Sequence, residues 1–317
     1  MKKGLISYFW RLLISLLLLL FLLRFVNQNE VNQLLSNLIW PYLIVYFGLA
    51  LLDRLIMAYK WKILLEAKEI PCSFGKLIVV YFKGTFLGNL LPTSLGGDAI
   101  RAYELSKNTR DGEEVITSII MERYLGFLSS ALMALMAIPL LILFVPAFPR
   151  TIMVLLTLFL AGGLFFLFWL FRGKPHSSKI SNLLGRLPWA EKIGKISTSF
   201  VLYRNHPRAL GRFFIWSFGE QLLPIGATYL LSLSLGLPIP FHYLIPIIPI
   251  TQFFARIPVS LSGLGIQEGL FVWTFTQIGI SASSAFTLGL ASNLGNILSS
   301  LPGAYFYFRG KSIPHEQ

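Results

Sequence analysis

Apolar positions in this chain do not alternate and do not keep to one helical face; they run in unbroken blocks. LLISLLLLLFLL (Leu12 to Leu23) and ALMALMAIPLLILF (Ala131 to Phe144) are two of them. A hydrocarbon slab roughly 30 Å thick takes about 20 such residues as helix. Six segments are long enough to cross: Tyr8 to Val26, Asn37 to Met57, Thr117 to Val145, Thr151 to Phe171, Arg212 to Gly236 and Ser284 to Phe308. Two further apolar stretches, Cys72 to Gly97 and Tyr243 to Ile280, are interrupted by Pro and Gly clusters, and the first carries Lys83 near its middle. Neither reads as a simple transmembrane helix. The pattern predicts an all-α polytopic membrane protein with about six transmembrane helices and two re-entrant helical hairpins arranged as an inverted repeat.

Composition agrees: 55% of the 317 residues are hydrophobic and 13% charged, against about 25% charged in soluble domains. The chain reads as a single integral membrane domain over 1–317. Its first half, 1–145, holds the broken motif 72–98, and its second half, 212–311, holds the broken motif 243–280. Between them, 172–211 is a basic loop. The N-terminal run from Lys2, Lys3 and Arg11 to Arg24 lacks a small-residue cleavage site, so a retained first span is expected. The net charge of +13 belongs with a cytoplasmic face beside anionic lipid rather than with nucleic acid. Cys72, the single cysteine, excludes an intrachain disulfide and a multi-cysteine metal site, and is expected at a membrane edge.

Lys and Arg concentrate in loops that stay in the cytoplasm. The stretch Arg172 to Arg212 holds nine basic residues and one acid, Glu191, and is expected there. Within it Trp189, Ile193, Ile196, Phe200 and Tyr203 recur at helical spacing. Both an interfacial helix and a helix packed on its neighbours fit that stripe. Counting spans outward puts Arg101 to Arg110 and Lys60 to Lys68 on the same side, so 72–98 must enter and return. The same count places Leu237 to His242 outside and both termini inside the plasma membrane, so 243–280 returns from the opposite face.

The two broken segments share a pattern. Pro92, Ser94, Leu95 and Gly97 in PTSLGGD recur 166 residues later as Pro258, Ser260, Leu261 and Gly263 in PVSLSGL. Inverted repeats with broken helices are a recurring transporter plan, because irregular backbone survives at membrane depth only where protein or water encloses it. Simple Pro-Gly kinks in two helices are the alternative.

Charged groups at membrane depth cost roughly 2.5–3.5 kcal/mol each on insertion scales, so they face a cavity or a partner. In GNLLPTSLGGDAIRAYEL, Asn89 precedes the turn of Pro92, Gly96 and Gly97; Asp98, Arg101 and Glu104 then follow at spacings of three, on one helix face where they can pair. That set reads either as an ion-paired gate, with Arg101 exchanging a carboxylate for a lipid phosphate, or as a capped surface helix. In RIPVSLSGLGIQEG, Gly263 and Gly265 free the backbone and Glu268 suits the first turn of a helix. Arg256 has no such local explanation, and its guanidinium suits a phosphate. Glu122 and Arg123 head the third span, and Glu220 lies within the fifth with no basic neighbour in sequence after Arg212. Asn293 and Asn296 fit interhelical hydrogen bonding, Lys83 fits a snorkelling side chain, and Asp53 and Arg54 fit the cytoplasmic edge of the second span. No Walker loop or HExxH occurs, and the histidines at 176, 206, 242 and 315 lack metal-ligand spacing. No metal or cofactor is expected.

GNLLPTSLGGDAIRAYEL, then MERYLG (Met121 to Gly126), then PVSLSGLGIQEG together resemble the flippase-like transmembrane domain of the lysylphosphatidylglycerol synthases, over nearly the whole chain. The resemblance implies a role in moving lipids with modified head groups, with Asn89, Pro92, Gly96, Gly97, Asp98, Arg101, Glu122, Arg123, Pro258, Gly263, Gly265 and Glu268 as the motif positions. The sequence ends at Gln317 with no aminoacyl-transfer domain, so synthesis of lysyl-lipid is not expected of it. The leading expectation is a transporter of an anionic phospholipid or polyprenyl-phosphate-linked head group, with membrane lipids as partners. The alternatives are a membrane enzyme acting on a polyprenyl phosphate, with Asp98, Glu122 or Glu268 as base, and a membrane partner of a separate lipid-modifying enzyme.

Overall fold

The computed structural model describes residues 2–91, 96–107, 112–145, 149–172, 200–256 and 263–309. Among them there is no strand. The helices are α1 (Lys2–Leu23), α2 (Gln28–Ser36), α3 (Trp40–Glu66), α4 (Phe74–Leu90), α5 (Gly96–Ser106), α6 (Gly112–Phe144), α7 (Arg150–Arg172), α8 (Pro207–Ser234), α9 (Phe241–Ala255), α10 (Ile266–Thr276), α11 (Ala282–Leu298) and α12 (Pro302–Phe308), with a 3-10 turn at Tyr203–Asn205 before α8. Most of the basic loop, including Trp189, Ile193 and Ile196 of the expected interfacial stripe, lies outside the described residues. So do Pro92, Ser94, Leu95, Pro258, Ser260 and Leu261.

Among the described residues, α3 and α6 are long and apolar enough to cross a bilayer. At about 1.5 Å per residue, the 33 residues of α6 span roughly 50 Å. Exposed apolar side chains stud the outer helices, among them Leu16, Leu17 and Leu20 of α1, Ile44 and Val45 of α3, and Leu155, Leu158 and Phe165 of α7. A surface so apolar suits hydrocarbon, not water.

The interior rests on two long pairings. Antiparallel α3 and α8 lie side by side, tied at one end by Ile39 N–H donating to the Ser234 carbonyl at 2.8 Å and near the other by Tyr59 edge-on to Trp216. Helix α9 lies along α6, where Phe253 meets Phe127. The apolar cores follow: a large one joins α6, α8, α9, α10 and α11, and a smaller one ties the end of α3 to the starts of α4 and α6 and the end of α5 through Trp61, Leu65, Leu77, Leu105 and Val115.

Each broken segment is a pair of helices packed on each other, α4 on α5 and α9 on α10. Their outer ends lie at opposite poles. The start of α4 and the end of α5 share the smaller core with the end of α3, where Lys68 pairs with Glu114 at 3.2 Å and the Tyr203 hydroxyl donates to the Leu64 carbonyl. The start of α9 meets the far end of α6, where His242 packs tilted against Phe144 and Tyr243 packs edge-on to it. The chain leaving α10 returns to that same pole, where Ser281 and Ser284 bond Glu30 of α2.

Glycine permits the first pairing. Gly84 and Gly88, one turn apart on α4, face Gly97 on α5, and a Cβ on Gly97 would lie 2.5 Å from the Gly84 carbonyl oxygen. At Gly303 of α12 a Cβ would lie 2.1 Å from the Phe82 carbonyl oxygen. The expected continuous span from Ser284 to Phe308 is therefore corrected. It is two helices, α11 and α12, parted at Ser299–Leu301 by Pro302, and the second is drawn onto α4. Helix α3 also runs past the expected boundary at Met57 to Glu66, because Ala58, Trp61, Ile63, Leu64 and Leu65 continue the buried pattern.

Candidate functional site

Between α3, α4, α5, α6, α8, α9 and α11 lies a cavity of about 510 Å³. Its walls carry four arginines, Arg54, Arg101, Arg123 and Arg256, and four acids, Asp53, Asp98, Glu122 and Glu220. Apolar and small residues, including Leu49, Ala50, Gly126, Phe127 and Ala227, complete the lining. A polar chamber of this kind inside an apolar shell is costly unless every charge has a partner.

One wall is built by α5 and α6. Arg101, 5% exposed, hydrogen-bonds Asp98 at 3.3 Å and forms an ion pair with Glu122. Its guanidinium lies over the rings of Trp61 and Tyr81, 4.2 and 4.3 Å from the ring centres. The Trp61 indole N–H is itself fixed by Ser118 Oγ at 2.9 Å. Arg123 pairs with the second oxygen of Asp98. A charge set over two rings, doubly paired and buried in this way is set in place by its surroundings.

The opposite wall is built by α3, α8, α9 and α11. Glu220 accepts from Lys60 Nζ at 2.9 Å, and Lys60 also donates to Ser217 Oγ at 3.3 Å. Arg256 at the end of α9 approaches Glu220 at 3.7 Å and donates to the Gly126 carbonyl at 3.0 Å. Pro224 lacks an N–H, so the Glu220 carbonyl one turn back has no helical donor beside the cavity. Arg54 sits 3.6 Å from Asp53 and donates to Asn296 Oδ1 at 3.4 Å, while its Nε is buried without a partner.

Several expectations are corrected by this geometry. Asp98 and Arg101 pair as their spacing predicts, but Glu104 turns to Lys83 at 3.3 Å and does not line the cavity. Lys83 is 6% exposed and paired, so it does not snorkel. Lys60, expected in a cytoplasmic loop, is 2% exposed and supplies the basic neighbour that Glu220 lacked in sequence. Asp53 and Arg54 face the cavity. Glu268, expected at the site, is not among the residues that line the cavity: it is fully buried, accepts the Gly265 N–H at 2.7 Å as a helix cap, and accepts from Asn293 at 2.6 Å. Gly265, at φ +85°, makes that cap possible.

The remaining assignments divide. Asn89 lines the cavity and bonds Ser300 Oγ at 3.1 Å. Gly97 lines it too, and Gly96 and Gly263 flank the two breaks. Pro92 and Pro258 lie outside the described residues. Lys60 was legible in one respect, since buried apolar residues surround it at helical spacing. Its partner, 160 residues away, was not.

Residues 8–303 match the family described as the lysylphosphatidylglycerol synthase TM region. The chain belongs to this family. Among relatives of this lysylphosphatidylglycerol synthase TM-region protein, a UPF0104 membrane protein of Pyrococcus horikoshii is 25% identical over 93% of this chain and 92% of its own length. A UPF0104 membrane protein of Methanothermobacter thermautotrophicus is 22% identical over 89% and 88% respectively. The chain is thus a helical membrane protein of this family.

Proposed function

We propose that this protein moves the head group of an anionic phospholipid or polyprenyl-phosphate-linked lipid across the plasma membrane, through the cavity between the two broken segments. The observation that carries the reading is the cavity itself: a chamber walled by four arginines and four acids within an apolar helical shell. A phosphate-bearing head group needs such a polar path, while its acyl or prenyl tails can remain in lipid. Both broken segments contribute, α4 and α5 from one pole and α9 from the other, which supports an inverted, alternating-access arrangement. In this reading α4–α5 and α9–α10 are re-entrant hairpins from opposite faces, and both termini are cytoplasmic.

We read the site as one of passage rather than catalysis. Asp98 and Glu122 are held by Arg101, and Glu220 by Lys60, so their charge serves to neutralise cations and no one of them stands apart as a general base. Reconstitution in liposomes tests the proposal. Labelled anionic lipid is expected to equilibrate between leaflets faster than in empty vesicles; equal rates for every anionic lipid offered would sink it. Product formation from a polyprenyl-sugar donor, abolished by Asp98→Asn, would favour an enzyme instead.

A further inference from the structure

The charges on the two walls of the cavity do not balance in the same way. On the α5–α6 wall, Arg101 and Arg123 face Asp98 and Glu122, and the sum is zero. On the other wall, Arg54 and Arg256 face Asp53 and Glu220, and Lys60, buried behind the lining, already pairs with Glu220, so that this cluster of five carries one positive charge over. In sequence, the residues that follow Leu91 and Arg256, 92–95 and 257–262, include no charged residue. An unmatched charge at this depth calls for a counterion.

The same wall also holds unused donors. Arg54 has a buried Nε with no acceptor and is only 3.6 Å from its acid, outside hydrogen-bond range. Arg256 spends one nitrogen on the Gly126 carbonyl and stands 3.7 Å from Glu220, again too far to bond, with its side chain 30% exposed. Arg101 also has a buried Nε with no acceptor, but its charge is matched by two acids, Asp98 and Glu122, and it lies over the rings of Trp61 and Tyr81.

We propose that Arg54 and Arg256 together form the phosphate site of the cavity, and that this site selects a head group carrying a single negative charge, a phosphodiester, over a zwitterionic lipid or a phosphate monoester. The inference rests on the lipid-transport reading for its choice of ligand, but it concerns binding and is tested without transport. Two planar guanidiniums converging on one phosphate give the forked contacts that an ammonium cannot. One phosphodiester restores neutrality. A zwitterion brings no net charge, and a dianionic monoester overshoots. Phosphatidylglycerol and a polyprenyl-phosphate monosaccharide share the required chemistry.

Thermal unfolding of the purified full-length chain in neutral detergent, titrated with each lipid, tests this. Phosphatidylglycerol or the polyprenyl-phosphate monosaccharide is expected to raise the melting temperature, and the one that does identifies the source. Phosphatidylcholine and dianionic phosphatidic acid should require at least about tenfold higher concentration, the order of one lost charge-assisted contact. Arg54→Gln and Arg256→Gln should each abolish the preference, and Arg150→Gln, at an exposed position away from the cavity, should keep it. Asp53→Asn raises the surplus to two and should shift preference toward phosphatidic acid, so the proposal stays testable even if an arginine variant fails to fold. Equal response to all lipids, or an Asp53→Asn variant with wild-type preference, overturns it. Selective binding together with no transport in liposomes would remove the transport reading and leave this one standing.

Discussion

Lys60 and Glu220 meet 2.9 Å apart with almost no exposure, and that pair sets what single substitutions should cost. Breaking a buried pair strands the survivor, at about 3–5 kcal/mol, whereas replacing both partners by apolar residues is often neutral. Lys60→Met is therefore expected to lower the melting temperature sharply, and Lys60→Met with Glu220→Met to recover most of the loss. A double variant no more stable than the single one would show that the pair is not the cause. At the other pole, Glu30 titrates outside the membrane-spanning helices. Hydroxyl bonds from Ser281 and Ser284 hold its carboxyl below the usual range. A lowered acid adds stability above its unfolded value and loses it as the pH falls through the folded one. Stability should thus decline on acidification from the ordinary carboxylate range downward, and Glu30→Gln should flatten that limb; an unchanged acid limb would exclude Glu30 as its source.

At the scale of elements, the α4–α5 pairing depends on backbone contact. Gly97→Ala would bring a methyl within 2.5 Å of the Gly84 carbonyl oxygen and should part the two helices, lowering the melting temperature and disturbing Asp98 and Arg101 with it. Gly48 offers a control, because a Cβ there meets nothing within 4 Å. Gly48→Ala should stabilise α3 by about 0.5–1 kcal/mol through helix propensity alone. Thermal unfolding of the two variants separates packing from propensity. The existence of these elements was legible because apolar blocks and Pro-Gly breaks are local signals. The Gly84–Gly88 spacing was legible too, but the surface it packs against was not. The split of the last span at Pro302 was not legible, because the residues on both sides stay apolar and the approach of Gly303 to Phe82 is a contact between distant parts of the chain. The cavity itself was half legible: Asp98, Arg101, Glu122, Arg123, Glu220 and Arg256 stand out as charges within apolar runs. Asp53, Arg54 and Lys60 resembled the end of a span, since nothing local reveals partners that lie on α8 and α11.

For the whole molecule, the poles occupied by the two broken segments predict a topology. With Cys72 replaced by Ser, single cysteines at Pro149 and Phe241 should react with an impermeant reagent from outside, and those at Ser106 and Ser178 should not. Outside labelling of Ser106 would mean that the first broken segment crosses the membrane. The central claim is that a lipid head group passes through the cavity, and Gly126, beside Arg256 on its wall, allows that to be blocked from within. The decisive measurement is the rate of leaflet exchange of a labelled anionic lipid in liposomes carrying either the wild-type chain or Gly126→Phe, matched for folded protein. The wild type should exceed empty vesicles and Gly126→Phe should fall to their rate; wild-type exchange by the filled-cavity variant would contradict passage through this site.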